Sequence, residues 1–169
     1  MTKPKYVIVV GIDYSAASER ALEEAFTLGT NKHGVQLHVV NVRSAPSDAA
    51  STAEAKPLPP WRYWASELHE YVARKAAAFQ ATTPAAPYEH LYTHQRMNDP
   101  ASELAKLATN VGADLVVLGT HEWPDESPSR PGSVAEIVTR LAPCPVLIVR
   151  RKAVLPEAQA SEPHALPST

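Results

Sequence analysis

The sequence is poor in cysteine, in glycine and in excess positive charge. Its 169 residues include 1 cysteine, Cys144, and 6 glycines, and 16 Lys+Arg stand against 18 Asp+Glu for a formal net charge of -2. A single cysteine excludes an internal disulfide framework and any multi-cysteine zinc site. Without a basic excess, the chain lacks the electrostatic footprint of a nucleic-acid binder. We therefore expect one compact domain in a reducing cytoplasm and no nucleic-acid partner.

Long apolar runs are also absent. No stretch approaches the roughly 18 apolar residues that a membrane-spanning helix needs. The N-terminal MTKPKYVIVVGID reaches an aspartate after only a few apolar residues. We therefore expect neither a membrane segment nor a secretory signal peptide.

Proline is plentiful but unevenly placed. Several of the 16 prolines crowd an Ala/Ser/Pro-rich stretch at 44–60, and others fall beyond Lys152. Neither segment has periodic apolar residues to bury. The composition predicts one domain over 1–152 with a flexible insertion at 44–60, followed by a disordered tail at 153–169.

Strand and helix patterns alternate through the rest of the chain. Apolar, β-branched runs predict strands at 6–12, 35–42, 114–119 and 146–149, with a weaker strand at 88–92. Three- and four-residue apolar spacing predicts helices at 15–32, 61–79, 99–112 and 133–141. Five strands separated by four helices predict an α/β fold, an open five-stranded parallel sheet with helices on both faces.

Short polar residues and glycines mark the helix ends. Ser15 and Asp99 are predicted N-caps, the latter followed by proline at the first helical position. Gly34 and Gly112 are predicted to terminate the first and third helices, because glycine adopts the left-handed conformation common at such ends.

Ligands of open parallel sheets bind beyond the carboxyl ends of the strands, near the switch in strand order. There Gly119 ends the fourth strand, and Gly132-Ser133 opens the next helix. Glycine permits a ligand to approach the backbone, and the N–H groups at a helix start suit an anion such as phosphate. From spacing alone, an ordinary turn with a serine N-cap explains these residues equally well.

Three stretches of the last third resemble the universal stress protein family. They are Ala113–His121 (ADLVVLGTH), Gly132–Glu136 (GSVAE) and Ala142–Arg150 (APCPVLIVR). The resemblance covers the chain apart from the insertion and the tail. It implies a Rossmann-like, adenine-nucleotide alpha-hydrolase-like fold and a homodimer that pairs its last strands, here Val146–Val149.

One branch of that family binds ATP through a signature of Gly, two residues, Gly, nine residues, and Gly followed by Ser or Thr. Gly119 matches the first glycine and Gly132-Ser133 the final pair, whereas Glu122 stands where the second glycine is expected. The resemblance implies ATP, with Mg, as the cofactor. It also implies seven cofactor-binding positions, which are Asp13, Val42, Gly119, Thr120, Gly132, Ser133 and Val134.

The carboxylate at position 122 opposes nucleotide binding. A Cβ there hinders close approach of the backbone to a phosphate. Like charges about 6 Å apart repel by about 3 kcal/mol at an effective dielectric of ~20, before screening. Asp125 and Glu126 add negative charge to the same loop. The substitution therefore predicts a weakened ATP site.

Other polar residues favour structural roles. His90 and His94 lie on one face of a predicted strand about 13 Å apart, too far for one metal ion. We expect them to be exposed or packing histidines. Cys144, between two prolines, is predicted to be a buried and unreactive thiol. His121 lies near the predicted ligand without an assignable catalytic partner.

Two function hypotheses remain. The first is a stress-responsive regulatory domain that binds ATP, with at most slow hydrolysis and no assigned catalytic or metal-ligating residue. The second is a protein-interaction dimer whose nucleotide site is degenerate. Dinucleotide-dehydrogenase, P-loop and α/β-hydrolase functions are excluded because their motifs are missing. The regulatory protein partner is not identifiable from the sequence.

Overall fold

The computed structural model describes residues 5–43, 61–120 and 133–150. The predicted insertion, the loop at 121–132 and the predicted tail lie outside these ranges. The nine elements of the described chain are β1 (Tyr6–Gly11), α1 (Ala16–Thr30), β2 (Val35–Arg43), α2 (Trp61–Thr82), β3 (His90–Met97), α3 (Pro100–Val111), β4 (Leu115–Gly119), α4 (Val134–Leu141) and β5 (Val146–Val149).

The strands form one parallel sheet in the order β3-β2-β1-β4-β5. This architecture confirms the predicted open five-stranded sheet. The chain winds outward from β1 to one edge and then returns to β4 on its other side. The strand order therefore switches between β1 and β4, and β5 lies at the edge opposite β3. Within the described ranges, no helix combines the length and the apolarity needed to cross a bilayer.

Both faces of β1 are buried, which explains its uninterrupted apolar run. Ile8 and Val10 pack with α1 and α2, whereas Val9 packs with α3 and α4 on the opposite face. All three side chains have no solvent exposure. Full burial of such a side chain stabilises the fold by about 1.5–3 kcal/mol. The central strand thus holds together two apolar layers.

Three of the four predicted helix ends are confirmed. Ser15 Oγ accepts a hydrogen bond from Ser18 N (3.2 Å), and Asp99 Oδ2 accepts one from Ser102 N (2.8 Å). Gly112 ends α3 in the left-handed conformation, at φ 63°. The prediction for Gly34 was wrong: α1 ends at Thr30 with Asn31 as its C-cap, and Gly34 instead provides a φ of 68° just before β2.

The third strand was predicted at 88–92, and this boundary was wrong. The observed strand pairs with β2 as far as Met97. Its second half carries three consecutive polar residues, His94, Gln95 and Arg96. An edge strand tolerates them because it has one strand partner. His90 is exposed as predicted, but His94 is half-buried and contacts His38 of β2.

Asp114 closes the start of the β1–β4 pairing. Its Oδ2 accepts a hydrogen bond from Val7 N at 2.8 Å, and its own N donates to Val7 O at 2.8 Å. The regular ladder begins one residue later, where Ile8 pairs with Leu115. The carboxylate therefore satisfies a backbone donor that the ladder leaves over.

Replacing Asp114 with alanine should destabilise the fold by about 1 kcal/mol, because the Val7 N–H loses its acceptor. For a chain of this size we expect the thermal midpoint to fall by about 2–4 °C. Thermal denaturation followed by circular dichroism measures the effect. Asp114→Asn is the matched control, since it keeps an acceptor oxygen, and equal losses in both variants would contradict the assignment.

Candidate functional site

A cavity of about 410 Å³ opens at the carboxyl ends of β1 and β4, where the strand order switches. Six sequence-predicted positions line it, and they are Asp13, Val42, Gly119, Thr120, Ser133 and Val134. The seventh, Gly132, lies outside the described residues, as do Glu122 and His121. The fold thus brings together residues that are more than 100 positions apart in the chain.

The turn between β1 and α1 positions Asp13 at the mouth of this cavity. Asp13 Oδ1 accepts a hydrogen bond from Ser15 N at 3.0 Å, and Asp13 N donates to Ser18 Oγ at 3.3 Å. Tyr14 adopts a positive φ of 64°, which is uncommon for a residue with a side chain. The carboxylate is exposed, and it accepts its hydrogen bond from the backbone of Ser15, the N-cap of α1.

The N-terminus of α4 forms the opposite wall. Ser133 is its N-cap, with Oγ accepting from Glu136 N at 3.2 Å, and both Ser133 and Val134 are exposed. The first N–H groups of a helix have no partners within the helix and carry partial positive charge. This wall can therefore accept a negatively charged group.

Gly119 has a structural role that the sequence did not reveal. A Cβ at this position would lie 2.2 Å from Ala17 O and 2.7 Å from Ser18 N. The expectation that this glycine opens the backbone to a ligand is therefore incomplete, because the missing side chain makes room for the first turn of α1. Its backbone still lines the cavity.

A hydrogen-bond chain supports the cavity from the β3 side. Gln95 Nε2 donates to Asn41 Oδ1 at 2.8 Å, and Asn41 Nδ2 donates to Ile12 O at 2.7 Å. Asn41 is buried, and Ile12 lines the cavity. The sequence pattern did not indicate this contact, because it joins residues 54 positions apart.

The described lining offers binding groups but little charge. Asp13 is its one ionisable side chain, and no lysine, arginine or histidine is among the described lining residues. Val42, Leu118 and Pro100 give the cavity apolar walls, as in most small-molecule sites. An anion bound here would be neutralised by helix and backbone N–H groups rather than by a described cation.

A larger cavity, about 590 Å³, lies on the other side of Tyr14, against α2. It is lined by Tyr14, Tyr63, Tyr71 and several charged side chains of α2. Burial raises the pKa of the Tyr71 hydroxyl, with a further contribution from Glu19. This cavity shares no lining residue with the cavity at the strand switch, and we assign it no role in the site.

Cys144 lies outside both cavities. The thiol is half-buried, and its pKa is raised by burial and, secondarily, by the Asp114 carboxylate. A raised pKa keeps the sulfur protonated and weakly nucleophilic. The environment agrees with the predicted unreactive thiol, whereas the prediction that it is buried was wrong, since Cys144 is partly exposed.

Comparison with known proteins identifies one family. The family model described as the universal stress protein family matches residues 6–150. A Staphylococcus epidermidis chain that carries a universal stress protein name is 28% identical over 151 residues, covering 85% of this chain and 82% of that protein.

Solved structures share the fold. A universal stress protein in complex with cAMP is 24% identical, with a TM-score of 0.62, covering 88% of this chain and 98% of that one. A universal stress protein family protein of Arabidopsis thaliana with AMP bound is 17% identical, with a TM-score of 0.57, covering 92% and 99% of the two chains.

Gly119→Ala should destabilise the protein even without a ligand, because its Cβ would overlap the Ala17 carbonyl. Overpacking of this kind costs about 1–3 kcal/mol. Gly112→Ala is the control: it lies in open space at φ 63°, so only left-handed strain of about 1 kcal/mol is added. Thermal denaturation should rank Gly119→Ala below Gly112→Ala. Wild-type stability in Gly119→Ala would refute the packing role.

Proposed function

The chain belongs to the universal stress protein family, and we propose that it is a regulatory domain of the stress response that binds an adenine nucleotide at the carboxyl ends of its strands. One observation carries the proposal. Six of the positions that the family resemblance implies line one cavity at the strand switch. Two similar structures hold cAMP and AMP. ATP is the nucleotide that the sequence signature favours.

The lining suggests how a nucleotide would lie. Val42 and Pro100 offer apolar contact for the adenine ring, and the Asp13 carboxylate can accept hydrogen bonds from ribose hydroxyls. The N–H groups at the start of α4 and the Thr120 hydroxyl can meet the phosphates, and a helix N-terminus favours an anion by about 0.3–1 kcal/mol. Each group matches one part of the ligand.

Magnesium would enter with the nucleotide rather than through a protein cage. The described residues contain no cluster of three or more metal-ligating side chains. Mg²⁺ commonly keeps several waters and is bound through substrate phosphates. We propose binding with at most slow ATP turnover, in a reducing cytoplasm that suits a chain with one protonated cysteine.

A second candidate function is an interaction dimer with a degenerate nucleotide site. Two observations favour it: Glu122 replaces a signature glycine, and the one ionisable side chain of the described lining, Asp13, is a carboxylate. In that case the stress signal would be read by protein contacts alone. The two candidates differ in whether the purified protein binds ATP.

A homodimer through β5 is part of both candidates. The carbonyls of Pro145 and Val149 accept hydrogen bonds from Val116 and Thr120. Backbone groups of a strand alternate in direction, so the N–H and C=O of Ile148 point away from β4. An apolar edge strand with unpaired backbone groups favours pairing with another chain. A second copy of β5 fits this edge.

Removing the carboxylate at position 122 should strengthen nucleotide binding. We expect Glu122→Gly to raise ATP affinity 10-fold or more, which corresponds to about 1.4 kcal/mol. Repulsion is relieved, and each new charge-assisted backbone bond to phosphate contributes about 1.5–3 kcal/mol. Titration calorimetry of wild type and variant, with and without magnesium, measures the change.

Glu126→Gly is the matched control, because it removes one charge from the same loop outside the signature. A gain confined to Glu122→Gly supports the site. If neither wild type nor Glu122→Gly binds ATP, the result would support the dimer with a degenerate site. Nucleotide released from heat-denatured wild-type protein would show that the cavity binds despite Glu122.

Ile148→Pro should convert the proposed dimer to a monomer. Proline removes the outward N–H that pairing of two β5 strands would use, while Ile148→Ala keeps it and loses only side-chain packing. Light scattering at micromolar concentration should give twice the chain mass for wild type and Ile148→Ala, and the chain mass for Ile148→Pro. A monomeric wild type would overturn the proposal.

A further inference from the structure

Two histidines on neighbouring strands form a direct hydrogen bond. His38 Nδ1 of β2 lies 2.9 Å from His94 Nε2 of β3, and His38 is 7% exposed. The ring planes differ by 10° and the centroids are 5.1 Å apart. That separation is close to the nitrogen distance plus both ring radii, so the imidazoles lie edge to edge in nearly one plane. One ring donates and the other accepts.

The pair lies on the sheet face that α3 covers. Tyr92 stacks on His38 with centroids 4.6 Å apart, and the Arg96 guanidinium on the same strand acts on His94. From β1, the residue in register with His38 is the apolar Val9. His38 is therefore flanked by the aromatic Tyr92 and the apolar Val9, and its ring nitrogen is hydrogen-bonded to His94.

The charged groups of α3 are engaged elsewhere. Glu103 Oε1 and Lys106 Nζ pair with each other at 2.9 Å, and Asp99 caps the helix by accepting from Ser102 N. His90, further along β3, is exposed and lies 3.9 Å from a Glu89 oxygen. Among the described residues, no carboxylate raises the pKa of His38 or His94. A proton added to the pair therefore gains no counter-ion from them.

Protonation of this pair is therefore unfavourable in the folded state. Burial, and secondly His94, lower the pKa of His38 to about 4. Burial, and secondly Arg96, lower the pKa of His94. A neutral or singly charged pair can keep the hydrogen bond, because one facing nitrogen still accepts. A second proton makes both rings double donors, and the bond is lost.

The residue next to His94 supports the cavity. Gln95 donates to Asn41, and Asn41 donates to the carbonyl of Ile12 in the cavity wall. Val42, which also lines the cavity, lies four positions beyond His38 on the same face of β2. Displacement of β3 would remove the hydrogen bond that orients the Asn41 side chain.

We propose that His38 and His94 form an acid-sensitive latch, which reinforces the pairing of β3 with β2 while at least one ring is neutral and loosens it when both rings are protonated. Loosening removes the Gln95–Asn41 support and so weakens ligand binding in the cavity beside Ile12. The latch rests on the histidine geometry alone, whereas its effect on affinity rests on the proposed nucleotide-binding function. Acidification would thereby weaken ligand binding through a change in the fold.

The direction of the pH effect follows from linkage. In the unfolded chain both histidines titrate near pH 6.5, and in the folded chain both pKa values are lower. The unfolded state therefore binds more protons between about pH 6.5 and about pH 4. The stabilisation is complete above about pH 6.5 and is lost as the pH falls toward 4.

The first test compares thermal midpoints at about pH 7.5 and about pH 5. The double variant His38→Phe/His94→Leu replaces both partners with apolar groups, and such a replacement can be nearly neutral for stability. The wild-type midpoint should fall by about 5 °C or more beyond that of the double variant. His90→Gln, on the same strand but exposed, should behave as wild type.

Imidazole ¹⁵N NMR provides a readout that variant stability does not affect. In wild type, His38 and His94 should both titrate below pH 6.5 in two coupled steps, and in His94→Gln the His38 titration should change. Independent titration of the two rings near pH 6.5 would overturn the latch. Equal midpoint losses in wild type and double variant would overturn it as well.

Nucleotide affinity is measured separately, by AMP and ATP titration at about pH 7.5 and at about pH 4, where His38 takes up its proton in the folded chain. The ratio of affinities should fall threefold or more in wild type relative to the double variant, about 0.65 kcal/mol. An unchanged ratio, with binding present, would overturn the coupling. If neither AMP nor ATP binds at any of the pH values, the proposed function is refuted. The thermal midpoints and the NMR titrations then still decide the latch.

Discussion

The fold depends on the burial of β1 on both faces. A parallel strand with apolar side chains above and below must be covered by helices on each side and paired on both edges. Here β2 and β4 supply the edges, while α1 with α2 and α3 with α4 supply the covers. Since the chain leaves β1 in one direction and returns in the other, the carboxyl end of β1 is where neighbouring loops diverge. The cavity is a consequence of this divergence.

The turns and helix starts that stabilise the fold also supply the polar groups of the site. The turn that positions Asp13 also caps α1, and the residue that begins α4 also faces the cavity. Gly119 allows α1 to approach β4, so the helix start and the strand end lie side by side. Binding groups are thus supplied by structures that the fold needs in any case. Nucleotide binding would add few requirements of its own, which explains how a family can retain the fold while one signature position changes.

The sequence predicted those parts whose signal is local. The apolar runs of β1 and β5 and the caps Ser15 and Asp99 were predictable because spacing and residue type determine them. The cavity positions came from the resemblance to a known family, because spacing alone fitted an ordinary turn equally well. The second half of β3 was not predictable, since an edge strand with polar side chains lacks the apolar alternation that predicts strands. The contacts of His38 with His94 and of Asn41 with Gln95 join residues 56 and 54 positions apart. No spacing rule reaches such pairs, because they depend on the strand register.

The two edges of the sheet differ in a way that limits how far it can grow. β5 presents four apolar residues, whereas the second half of β3 carries His94, Gln95 and Arg96. If every edge could accept a neighbour, a parallel sheet would be a template for open-ended polymerisation. The proposed self-complementary contact through β5 would have two-fold symmetry and would use up that edge in one step. In the proposed dimer, β3 would lie at both outer ends, and its polar second half disfavours a further strand, so pairing would stop after two chains.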